Sequence, residues 1–155
     1  MLLAIYLNDH LAAATGARDL ARRAASSNRG SSYGAFLERL AAEIDEDRDA
    51  LLAIMRALNV GVDRLKVVGG WGAEKLGRLK LNGRVLGYSP LSRVVELEIL
   101  ALGVTGKRSL WRALERLDRP DLAAWDLPEL AARAQRQLRG LERQRLAAVG
   151  EAFSR

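Results

Sequence analysis

The sequence predicts an all-α chain: a four-helix bundle with one shorter helix in a crossover between the second and third long helices. Three observations carry that expectation. The chain is rich in alanine, leucine and arginine, strong helix formers, and has only three prolines to interrupt them. Apolar residues recur at spacings of three and four through four stretches of about 25 residues each. Between these stretches lie turn-forming segments such as SSNRGSS and DRPDLAAWDLP. At 155 residues the chain suits one domain, 1–155, able to bury a core.

The first helix is expected over Leu2 to Ser26. Its stripe reads Leu3, Leu7, His10, Ala14, Ala17, Ala21 and Ala24, widened by Leu11 and Leu20. Asn8 lies off the stripe, and Asp9 faces another side of the helix from His10. The second helix covers Tyr33 to Leu58, with Leu37, Leu40, Ile44, Asp47, Leu51, Ile54 and Leu58 inward. Asn59 and Gly61 in NVGVD supply its stop. The crossover helix keeps helical spacing from Asp63 to about Leu81, weakened at Gly69 and Gly70.

Ser89 before Pro90 reads as an N-cap followed by a first-turn proline. The helix it opens extends to Leu117 with Val95, Ile99, Leu102, Gly106, Leu110, Ala113 and Leu117 inward and Glu98 at the edge. Asp126 caps the last helix, which has Pro128 near its start and continues to Phe153. Its inward residues are Ala131, Ala134, Leu138, Leu141, Arg145, Ala148 and Ala152.

Each long helix thus sets one ionisable residue on or beside its apolar stripe: His10, Asp47, Glu98 and Arg145, with Glu43 one turn before Asp47. Buried charges are costly unless paired, so these five are expected to meet as a polar core. Three readings follow. They fix helix register, they line a small-ligand or weak metal site, or the helix phases differ and some of them simply face solvent.

The net charge of +6 is uneven. Residues 61–93 carry seven lysines and arginines against Asp63 and Glu74. Lys75, Arg78, Lys80 and Arg84 there form a candidate anion-binding group, with Trp71 and Tyr88 available for stacking. The same segment could instead be a homodimer surface. Nothing resembles a helix-turn-helix or another named nucleic-acid module, so nucleic acid is not the expected partner.

The absence of cysteine removes disulfides, thiolate metal sites and thiol nucleophiles. The apolar run MLLAIYL ends at Asn8 and has no positive region before it. It reads as neither a signal peptide nor a membrane span, which makes the cytoplasm the default location. GGWG at 69–72 lacks the Gly-Lys-Ser/Thr ending of a phosphate loop. A serine triad would need His10 beside a serine, and apart from Ser109 the serines fall at loops or helix ends. Glu96 and Glu98, two residues apart on a helix, point away from each other and cannot flank one substrate.

LNDHLAAAT resembles the first helix of bacterioferritin-type proteins, EIDEDRDALLAIMRALNV the second and VELEILALGVTGKRSLWRAL the third. The chain is therefore identified as a member of the ferritin-like superfamily. It also resembles an actinobacterial family of this kind, with LGRLKLNGRVLGYSPLSR its most distinctive segment. The resemblance implies the scaffold but not its usual chemistry. A di-iron site takes a glutamate from each of two helices and Glu-x-x-His from each of the other two. Here the first-helix glutamate position aligns with Ala14, the second helix has Glu43 and Asp47 but no histidine, and Glu142 is followed by Arg145 where an imidazole is needed. The expectation is a non-enzymatic binding or interaction protein with degenerate di-iron ligands, no cofactor and a homodimeric assembly. The alternatives are metal binding through the carboxylates and His10, or an anionic partner held by residues 61–93.

Overall fold

The computed structural model describes residues 1–65 and 88–154. They are all-helical, without strands, and form four long helices: α1 (Leu2–Ser27), α2 (Gly34–Ala57), α3 (Pro90–Arg116) and α4 (Leu127–Phe153), with a 3-10 turn at Pro120–Leu122. The crossover helix expected near 63–81 falls almost wholly outside the described residues.

Local chemistry sets the ends. Ser89 accepts a hydrogen bond from the Ser92 amide at 3.1 Å, and Asp126 accepts one from the Glu129 amide at 2.9 Å. Each is followed within two residues by a proline, which has no N–H to leave unpaired. At the end of α2, Asn59 takes a left-handed φ of 54° while the Val60 amide donates to the Met55 carbonyl at 2.8 Å. That bond satisfies a carbonyl the helix would otherwise leave open.

The helices pack as two antiparallel hairpins. Arg22 meets Asp45 and Arg48 meets Thr15 across α1 and α2. Arg93 meets Glu151 and Arg108 meets Gln135 across α3 and α4. Between the hairpins, Ala17 lies beside Gly103 and Arg23 beside Glu96, so α1 and α3 are antiparallel. Phe36 against Gly140 and Asp47 against Arg133 make α2 and α4 antiparallel too. Hence α2 and α3 run parallel, and the chain leaves α2 at one end of the bundle and enters α3 at the other.

The core has two apolar blocks. One joins Leu7, Leu11, Leu51, Ile54, Met55, Leu110, Trp111 and Leu114 with Leu122 and Leu127. The other, at the opposite end, joins Leu20 to Ala25, Tyr33 to Ile44, Val94 to Val104 and Ala134 to Ala148. The α2 stripe lies inward from Leu37 to Ile54. The α3 stripe is rotated from the expected one: Leu102 is 61% exposed and Ala113 and Leu117 are also outward, while Leu97, Leu100, Val104, Trp111 and Leu114 are buried. Those residues follow a three-four spacing that passes through Lys107. In α4 the same spacing runs Leu127, Leu130, Ala134, Gln137, Leu141, and it brings Gln137 rather than Arg145 inward.

Candidate functional site

Three helices each place one polar residue on that inward spacing: Asp47 on α2, Lys107 on α3 and Gln137 on α4. They meet between the two apolar blocks. Asp47 is 2% exposed, and its two carboxylate oxygens accept from Lys107 Nζ and from Arg133. Lys107 Nζ also donates to Gln137 Oε1 at 2.6 Å, and Gln137 Nε2 donates to Glu43 at 2.7 Å. Arg133 reaches outward to Glu46 at 2.7 Å. Burial pushes the Lys107 ammonium below its ordinary pKa, and the Asp47 carboxylate opposes that shift.

The five residues expected in one polar core are divided by this arrangement. Glu43 and Asp47 stand together in the cluster. Glu98 and Arg145 pair 3.6 Å apart on the outer side of α3 and α4, where Arg145 also binds Glu142 at 2.8 Å. The cause is the rotation of α3 and α4, which turns both residues away from the bundle axis. His10 stands on another wall, its ring edge-on to Tyr6 with centroids 4.5 Å apart. Lys75, Arg78, Lys80 and Arg84, and with them the anion-binding group, lie outside the described residues. Sequence reasoning missed Lys107, Arg133 and Gln137. The signal for Lys107 was the alternative stripe containing Trp111, the bulkiest residue of α3.

Beside the cluster, α1, α2 and α3 line a half-open cavity of about 320 Å³. From α1 come Tyr6, His10, Ala13, Ala14 and Ala17. From α2 come Ile44, Asp47, Arg48 and Leu51, and from α3 Gly103, Gly106, Lys107, Leu110 and Trp111. Small side chains create it: alanines on α1 face glycines on α3, and a Cβ added at Gly106 would meet nothing within 4 Å. Asp9 lines the cavity as well, so it borders the same space as His10 although it lies on another side of α1. Burial lowers the His10 pKa, partly offset by Asp9, a shift that favours the neutral imidazole. Trp111 is fully buried, and its Nε1 has no hydrogen-bond partner among the described residues.

The donor set does not fit a metal ion. Any cation at Asp47 would meet the ammonium of Lys107 and the guanidinium of Arg133, which already occupy its oxygens. Among the described residues no three histidine, aspartate or glutamate side chains gather as metal ligands.

A second polar network closes the far end of the bundle. Buried Asn28 donates to Tyr88 at 2.8 Å, Tyr88 donates to Glu96 at 2.9 Å, and Arg93 donates to Asn28 at 2.7 Å and to Glu151 at 2.8 Å. Tyr33 donates to the same Glu151 carboxylate at 2.9 Å and lies under the Arg93 guanidinium. Burial raises the pKa of Glu96, against the opposing effects of Tyr88 and Arg23. Its principal groups bond to one another, which makes it a staple between loop and helices. At the other end buried Asn8 donates to the Gly61 carbonyl at 3.0 Å and accepts from the Asp63 amide at 2.7 Å, tying α1 to the segment after α2. No described helix is long and apolar enough to cross a membrane. Compared with known proteins, the chain matches no family, no curated protein and no solved structure.

Proposed function

We propose that the chain is a ferritin-like bundle working without a di-iron centre, as a non-enzymatic binding protein whose ligand occupies the cavity between α1, α2 and α3. The parallel course of α2 and α3, entered from opposite ends, supports the ferritin-like reading, since that scaffold has one long crossover. Lys107 Nζ stands between Asp47 and Gln137 and supplies there a positive charge of the protein's own, which supports a reading without a metal. The observation that carries the binding reading is the cavity itself. Its volume lies at the small end of ligand pockets, roughly 300–1,000 Å³, and it is walled by three helices with a few polar groups.

Gly106→Leu tests this directly. The new side chain enters open space, fills the cavity and removes a helix glycine, so the variant should unfold at a higher temperature. Calorimetric titration of the wild type with octanol or octanoate should show one saturable site, lost in the variant. If neither compound saturates a site on the wild type, or both still bind Gly106→Leu, the cavity is not a binding site.

A further inference from the structure

The hydrogen-bonding capacity of the cavity wall is lopsided. Both Asp47 oxygens are engaged by Lys107 and Arg133. Arg48, by contrast, is only 19% exposed at its side chain and spends its Nε on Thr15 at 3.2 Å. Its nearest acid, Asp49, lies 3.7 Å away, beyond hydrogen-bond reach, and is 78% exposed. A guanidinium carries five N–H donors, so most of those on Arg48 remain available. Trp111 Nε1 lacks an acceptor among the described residues. The Arg48 guanidinium keeps donors to spare, while both oxygens of the Asp47 carboxylate are engaged.

We infer that the ligand is a small monocarboxylate with an apolar body, its carboxylate paired with Arg48 and its body lying along the alanine and glycine wall. This rests on the reading of the cavity as a binding site and adds the chemistry of the occupant. A carboxylate offers two oxygens in the plane that a guanidinium fork addresses. One negative charge matches the under-paired Arg48, which among the described residues of the cavity wall has only the distant, exposed Asp49 as an ion partner. A dianion such as a phosphate monoester would bring a second charge towards Asp47 and Asp9, which line the same space. Size limits the body: about 320 Å³ lies at the small end of ligand pockets.

Octanoate, octanol and octylamine carry the same eight-carbon chain with an anionic, a neutral and a cationic head. Calorimetric titration of the full chain with each should give octanoate the tightest binding, by roughly tenfold or more over octanol. Arg48→Gln should bring octanoate down to the octanol level without changing octanol, and Arg48→Lys should restore part of the preference. Thermal unfolding of both variants checks that they fold. Equal binding of octanoate and octanol, preference for octylamine, or a preference that survives Arg48→Gln would overturn the carboxylate assignment while leaving the cavity a binding site. Binding of none of the three would overturn both.

Discussion

Asp47 is the residue on which the centre of the bundle depends. Removing it leaves Lys107 buried without its carboxylate, a change that costs about 3–5 kcal/mol when one partner of a buried pair is lost. Urea denaturation of Asp47→Ala should show a loss of that order. Asp47→Leu combined with Lys107→Met should recover most of it, because Arg133 retains Glu46 and no buried ammonium remains. His10 gives a pH signature. Its pKa is lowered on folding from the ordinary 6.5, so the unfolded chain takes up the proton first. The stability it contributes is complete above pH 6.5 and is lost as pH falls through the interval down to the folded pKa. Asp9 opposes the shift, and Asp47, Arg48, Lys107 and Tyr6 share the same cavity. The difference in melting temperature between wild type and His10→Gln should therefore be constant above pH 6.5, and wild type should lose stability relative to the variant as pH falls below it. Asp47 was readable from sequence because the α2 stripe around it has no rival. Lys107 was not, because α3 offers two apolar stripes, and periodicity does not say which one a neighbour covers.

The helices themselves were legible almost to their ends, since caps act between residues one turn apart. Ser89→Ala should lower stability by about 1 kcal/mol, measured by thermal unfolding, through loss of the bond to the Ser92 amide. Rotation about the helix axis is a different kind of quantity. It is fixed by packing between helices, and Gly140 shows how tightly. A Cβ there would lie 2.4 Å from Phe36 Cε2, so α2 and α4 touch where one of them has no side chain. Gly140→Ala should destabilise by about 1–3 kcal/mol despite alanine's better helix propensity. Phe36→Leu in the same chain should restore part of the loss in chemical denaturation. The expected α4 stripe passed over Gly140 and Gln137 because neither is apolar, although both face the core.

At the scale of the molecule, the pairing of α1 with α3 and of α2 with α4 joins residues far apart in sequence, and no local spacing encodes it. Asn28, Tyr88, Glu96, Arg93 and Glu151 come from four separate parts of the chain, yet they close one end together. What sequence did supply was the number of long helices, their lengths and the presence of a long connection between the second and third. The cavity was beyond its reach: alanines on α1 and glycines on α3 signal close packing equally well, and only the distance between those helices turns them into empty space.

The polar layer between the two apolar blocks gives the molecule a waist. Each block is anchored by its own buried side chains, Trp111 and Met55 in one and Tyr33 and Leu100 in the other, and the cavity removes contacts where the blocks adjoin. A bundle built this way has a seam along which it can breathe. Backbone amides of α1 around Ala14 should exchange with solvent sooner than those around Leu7 or Leu20, and cavity occupation should slow them selectively. Occupancy would then be written into the motion of the first helix, where it can be followed amide by amide without altering the chain.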